Sequence, residues 1–133
     1  MKALFFGIYN KNDPVNARTR ILLDGLKKRG WEVEECNTSV SSFGRFWFLL
    51  REYRKVGKDY DVMFLAYAGA QTISILAKIL SRKKIVADPI VSLYDTMVFD
   101  RKKVSRFGLK AVYYYTLDCL MCRMVDIVIA DTN

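Results

Sequence analysis

The feature that most constrains this chain is the unbroken apolar run Ala3-Leu4-Phe5-Phe6-Gly7-Ile8, placed at the very start. A half-exposed strand alternates polar and apolar residues, whereas a run with no polar break suits a parallel strand covered on both faces. Further short apolar segments follow at intervals: Val62-Met-Phe-Leu65 within Asp61 to Ala66, Ile85-Val-Ala87, and Ile127-Val-Ile-Ala130. Between them lie stretches with helical periodicity. Strand and helix alternating in this way predict a parallel sheet with right-handed crossovers and helices on both faces. The expected fold is α/β, a doubly wound sheet of about five strands in the order 3-2-1-4-5, making one Rossmann-like domain over residues 1–133.

In the first helix Asp13-Pro14 reads as N-cap and first helical residue, and Gly30 as its left-handed stop. Ile21, Leu22, Gly25 and Leu26 are expected to face the sheet. Trp31 to Cys36 alternates, as a strand near a sheet edge does. Ser41 to Gly57 reads as a second helix, with Phe43, Phe46, Leu49, Leu50, Tyr53 and Val56 on the core arc. A third helix, Gln71 to Arg82, points Ile75, Leu76, Ile79 and Leu80 inward. The longest spans Val104 to Val125 and is apolar on nearly every side, the mark of a helix that is buried.

Charge narrows the partners. With 22 Lys plus Arg against 14 Asp plus Glu, the net charge is +8, which favours phosphate groups, nucleic acid or acidic lipid. There is no histidine, so a His base and His metal ligands are excluded, and no other metal-ligand cluster stands out. Cys36, Cys119 and Cys122 follow no framework spacing. The C-x-x-C string of Cys119 and Cys122 falls late in a helix, away from the helix start that would stabilise a thiolate. Buried or idle cytosolic thiols are expected. The N-terminus has no signal-peptide pattern and no stretch spans a bilayer, so a cytoplasmic protein is expected, at most peripheral at the inner face of the membrane.

On the second helix, Arg45, Trp47, Phe48, Arg51, Arg54 and Lys55 interleave large aromatics with basic residues outside the core arc. Two readings stand for this face. It lies on an anionic membrane, or it packs against a neighbouring helix or loop.

Ligands of doubly wound sheets bind beyond the carboxyl ends of the strands, where the order reverses. In the expected order that is between strands one and four, where the loops Gly7 to Arg20 and Asp88 to Asp100 meet. Gly7 lets the backbone approach a ligand. Tyr9 stands at the end of the first strand, and Asn10, Asn12, Asn16, Arg18 and Arg20 supply donors, the arginines suiting carboxylate or phosphate. Asp88 and Asp95 are strand-end carboxylates able to accept a proton or orient a hydroxyl. Asp88 beside Pro89 also suits a turn, which leaves Asp95 as the better base. Neither G-x-G-x-x-G nor G-x-x-x-x-G-K-[ST] follows the first strand, and an acidic pair for a phosphoacceptor is missing.

Five segments in order resemble the N-terminal half of a GT-B glycosyltransferase of the family-4 type, over the whole length of the chain. They are Gly7-Ile8-Tyr9-Asn10 with Asn16-Ala-Arg18-Thr-Arg20; Leu23 to Val33; Tyr60-Asp-Val62; Asp88 to Thr96; and Met124-Val-Asp126 to Thr132. The resemblance implies an acceptor-binding domain that works with a C-terminal domain holding a nucleotide sugar, the donor. Such a second domain is expected to lie outside these 133 residues, excised or separately encoded, so that alone they are expected to turn over nothing. The implied reaction moves a sugar to a lipid-linked or polysaccharide acceptor, usually with retention and often without a metal. Gly7 would approach the donor, and Arg18 and Arg20 would meet acceptor phosphate. Asp95 would hold the acceptor hydroxyl, standing where family members often place a His or Asp. The reading from another class is a non-catalytic, basic flavodoxin-like module that docks on a membrane or partner protein, with self-association through exposed apolar surface. Nucleic acid ranks below both, because no recognised motif accompanies the charge.

Overall fold

The architecture is described from a computed structural model, in which residues 1–10, 16–39, 43–66 and 69–129 are described. The expected cap at Asp13-Pro14, Asn12 and the expected start of the second helix at Ser41 lie outside these residues, as does the end of the fifth apolar segment.

Five parallel strands form one sheet: β1 (Lys2–Ile8), β2 (Glu32–Thr38), β3 (Val62–Leu65), β4 (Lys84–Ala87) and β5 (Ile127–Val128). Helices α1 (Ala17–Lys28), α2 (Gly44–Val56), α3 (Ala70–Leu80), the short α4 (Leu93–Asp95) and α5 (Leu109–Met124) connect them, with a π-helical stretch, Thr96–Asp100, directly after α4. The α/β fold class expected from the sequence is therefore present.

The strand order corrects the expectation. It is β2-β1-β3-β4-β5, not 3-2-1-4-5. The reason lies in which strand tolerates an edge. β2 leaves Glu32 and Glu34 in solvent, while Met63 and Leu65 of β3 are buried, so the alternating strand takes the edge and the apolar one pairs with β1. Ala3 and Phe6 of β1 stand opposite Val62 and Leu65.

Alternation along β1 splits the core in two. Leu4 and Phe6 face the layer of α2, α3 and α5, meeting Leu49, Tyr53, Ile73, Ala77 and Met121. Phe5 faces the layer of α1, stacked on Phe64 at 5.1 Å between ring centroids and packed with Leu23.

The stop at Gly30 is a complete Schellman motif. Gly30 has φ +80°, its N–H donates to the Lys27 carbonyl at 3.0 Å, and Trp31 N–H reaches back to Leu26 at 3.1 Å. The arcs of α1 and α3 are rotated slightly from those read in the sequence. Ile21, Phe43 and Ile79 are exposed, and Thr19, Leu23, Ile73 and Ala77 take the buried positions. Val104 to Val125 is helical only from Leu109, and α5 is not wrapped on all sides: Leu109, Val112, Tyr113 and Tyr115 face solvent. Among the described residues no helix is long and apolar enough to cross a membrane.

Candidate functional site

With β1 flanked by β2 and β3, the order reverses between β1 and β3, so the expected crevice between the first and fourth strands moves over by one strand. The chain after β4 still reaches it. At the start of α1, Arg18 Nε donates to Asp88 Oδ2 at 2.6 Å, spanning from the β1 loop to the end of β4. Gln71, buried in the first turn of α3, donates through Nε2 to the Val91 carbonyl at 3.2 Å. Three segments are thus tied together at the carboxyl edge: 16–18, 69–71 and 88–91.

Asp88 is 3% exposed, and its Oδ1 has no hydrogen-bond partner among the described residues. A buried carboxylate oxygen normally has a donor, so this atom marks a place where a donor is wanted. The backbone just beyond is strained. Ile90 has φ +52°, a value a β-branched residue rarely adopts, inside a tight turn in which Val91 N–H donates to the Pro89 carbonyl. Strain of this kind persists only where surrounding contacts enforce it, and it clusters at functional positions.

Three further expected residues line a separate cavity on the α1 side of the sheet. Tyr9, Asn16 and Arg20 line a cavity of about 200 Å³ between α1 and the β1–β2 edge, with Asp24, Lys27 and Glu35. Asn16 Nδ2 donates to the Asn10 carbonyl at 3.0 Å, closing the base of the loop after β1. Tyr9 donates its hydroxyl proton to Glu35 at 2.8 Å. Burial first, and the Glu35 carboxylate second, push the Tyr9 phenol well above its ordinary value, so it stays protonated and donates to that carboxylate.

Two expected roles look different in three dimensions. Gly7 sits where a side chain would strike a neighbouring strand: a Cβ there would lie 2.6 Å from the Ala66 Cβ. Its missing side chain makes room for Ala66, whose N–H continues the ladder to Phe6 at 3.0 Å. Asp95 is exposed in α4, and its backbone N–H, not its carboxylate, is engaged, by Ser92 Oγ at 3.1 Å.

The acid that organises that loop is one the sequence reading passed over. Asp118, midway along α5, accepts from Ser92 Oγ at 2.7 Å and from the backbone N–H groups of Leu93 and Tyr94 at 3.1 and 3.0 Å. It caps the start of α4 from another element. The available signal was a lone carboxylate in the apolar run Val112 to Met124. Asp118 also lines a crevice of about 230 Å³ with Pro89, Ile90, Val91, Met121 and Val128, at the ends of β4 and β5.

On α2 the expected membrane-facing set is mostly bare. Trp47 is 71% exposed, and Phe48, Arg51, Arg54 and Lys55 are exposed too, while Arg45 is half-buried with its guanidinium 5.0 Å from the Phe46 ring centroid. Packing against a neighbouring element, the other reading of this face, is therefore absent for these exposed residues among the described ones. Of the thiols, Cys36 is buried, its pKa pushed up to about 12 by burial and, less, by Glu52; Cys122 is exposed.

Among the described residues no group of three or more His, Cys, Asp or Glu is placed to hold a metal. No protein-family model, no curated protein and no solved structure matches the chain.

Proposed function

We propose that this chain is the acceptor-side domain of a GT-B glycosyltransferase of the family-4 type, which receives a sugar from a nucleotide-sugar donor held by a separate donor-binding domain. The observation that carries the reading is the Arg18–Asp88 pair at the carboxyl edge of the sheet, with Asp88 Oδ1 lacking a donor among the described residues. A sugar hydroxyl is a donor of the right kind; Oδ1 is closed to solvent, so the hydroxyl meets it only when the loops after β1 and β4 part, and fixing it there supplies the orientation on which transfer depends. Arg18 is occupied in holding Asp88, so contact with acceptor phosphate passes to the exposed Arg20. Asp95, free to reach solvent from the same loop, takes the acceptor hydroxyl proton or stabilises positive charge developing on the sugar. Neither the sugar nor the nucleotide is specified by these residues.

The test is reconstitution. The chain supplied with a donor-binding domain, as one polypeptide or two, should transfer a labelled sugar to a lipid-linked or polysaccharide acceptor, and the chain alone should transfer none. Transfer by the chain alone, or failure of every pairing, would remove the reading.

The bare face of α2 favours an accompanying role at an anionic membrane, as cytoplasmic-side docking for a lipid-linked acceptor. Its exposed aromatics sit beside Arg51, Arg54 and Lys55, the composition of an interfacial helix. Co-sedimentation with anionic vesicles should weaken in salt, and Trp47→Ala should reduce it about tenfold. Binding indifferent to both changes would exclude docking by this helix.

A further inference from the structure

At the opposite, amino-terminal edge of the sheet, the loops leading into β3 and β4 enclose a cleft of about 480 Å³. It is lined by Lys58, Arg82 and Lys83, by Tyr53, Tyr60 and Ser81, and by the apolar Ile79 and Leu80. That volume is in the range of small-ligand sites.

The three basic residues have no ion pair among the described residues, because the acids of this edge are engaged elsewhere. Lys2 Nζ takes Asp59 at 2.7 Å and Glu32 at 3.3 Å, and Lys2 N–H donates to Asp61 at 2.9 Å. Asp59, the acid next to Lys58, is held below the usual carboxylate range chiefly by Lys2, with a smaller contribution from Lys83. Unpaired cations gathered along one concave wall create a positive field that an anion can relieve.

The floor of the cleft is a buried hydroxyl chain. Tyr53 and Tyr60 oxygens are 2.7 Å apart, Tyr60 donates to Ser81 Oγ at 2.8 Å, and Lys83 N–H donates to the same oxygen at 3.1 Å. With Ser81 accepting two bonds, its own proton is left to donate outward, although Ser81 is buried. In this arrangement Tyr53 donates to Tyr60, one of the two directions open to that bond, and the tyrosine protons both point toward Ser81. Without a ligand the chain can also run the other way, ending on the Leu80 carbonyl, which lies 3.2 Å from the Tyr53 oxygen. An anion at the cleft selects the first direction, because it gives the Ser81 proton an acceptor. Burial holds the Tyr53 phenol above its ordinary value, which keeps it a donor in this relay.

We propose that this cleft binds a phosphate monoester or diester group, with Lys58, Arg82 and Lys83 as cationic partners and Ser81 as the hydroxyl donor. Arg82 supplies a planar fork suited to two phosphate oxygens, and the lysines neutralise the remaining charge. The group is carried by a soluble phosphorylated metabolite or by a phospholipid headgroup, and the chemistry of recognition is the same for both. The site is separate from the carboxyl edge and does not depend on the glycosyltransferase reading.

The experiment is a two-armed titration of the full chain followed by amide chemical shifts. One arm uses inorganic phosphate at constant ionic strength, the other phosphatidylcholine vesicles containing phosphatidylglycerol. In the phosphate arm, the amides of Lys58 and residues 81–84 should shift and saturate. The double variant Arg82→Ala/Lys83→Ala should weaken binding at least about tenfold and Ser81→Ala severalfold, while Lys110→Ala changes nothing. Arg82, Lys83 and Lys110 are exposed, so replacing them leaves folding intact. Saturable phosphate binding lost in the double variant supports a soluble ligand. Vesicle binding lost in that variant, without phosphate binding, supports a headgroup. Binding that never saturates, or that survives the double variant in both arms, overturns the proposal. Vesicle binding that is lost in Trp47→Ala but kept in the double variant assigns the membrane to α2 and removes the headgroup as the cleft's ligand, leaving the cleft to stand or fall on the phosphate arm.

Discussion

Arg18→Ala should destabilise the protein by about 3 kcal/mol in urea unfolding, the largest effect of any single change at the carboxyl edge. The Asp88 side chain is 5% exposed and Arg18 Nε is its one hydrogen-bond partner among the described residues, at 2.6 Å. Removing the guanidinium leaves a buried carboxylate whose lost hydration nothing replaces. The size of the loss therefore reports an orphaned charge more than the intrinsic strength of the pair. A double-mutant cycle separates the two, because Arg18→Ala/Asp88→Ala removes the orphan with its partner. The double variant should be more stable than Arg18→Ala alone, with a coupling energy of about 2 kcal/mol. Additive losses would mean that the two loops are not joined through these side chains.

Gly7→Ala should cost about 2 kcal/mol, although alanine normally suits a strand better than glycine. Gly7 does not have positive φ, so backbone strain is not the cause. The added methyl would lie 2.6 Å from the Ala66 Cβ and 3.2 Å from the Ala66 backbone nitrogen, and a main-chain neighbour cannot swing aside. β1 and β3 would have to part at the place where the strand order reverses. Ala66→Gly in the same chain should recover most of the loss, since it removes the atom that the new methyl strikes. Wild-type stability in Gly7→Ala would show that β1 and β3 do not approach as closely as described.

Local features of the fold were legible in the sequence because each is decided by a few neighbouring residues. The unbroken run Ala3 to Ile8 is doubly covered, the alternation Trp31 to Cys36 marks an edge strand, and Gly30 ends α1 by the motif its position announced. Strand order was harder, because it depends on which strands meet and not on any one of them. The alternation of β2 argues for an edge place, but only the burial of Met63 and Leu65 shows that β3 takes the place beside β1. The arcs of α1 and α3 are rotated by about one residue from those expected, since several rotations of a 3.6-residue repeat bury a similar number of apolar groups. Ile21, Gly25 and Ile79 are the exposed residues there, whereas the expected arc of α2 holds from Phe46 to Val56 and only Phe43, ahead of the helix, is exposed.

The candidate site divides along the same line. Arg18 and Asp88 were recognisable as polar residues at strand ends, but their pairing joins residues far apart in the chain, and no local pattern encodes it. Asp118 acts on α4 from the middle of α5, and the positive φ of Ile90 is imposed by surrounding packing, so neither leaves a sequence signature. The relay from Tyr53 through Tyr60 to Ser81 was hidden for the same reason.

The acceptor-side account is tested most directly by Asp95→Asn in the reconstituted enzyme, with transfer and unfolding measured on the same preparation. Asp95 is exposed and its carboxylate makes no hydrogen bond among the described residues, so the substitution should leave the unfolding midpoint unchanged. The account predicts that sugar transfer falls about 100-fold while the fold stays intact. Transfer at the wild-type rate would contradict it.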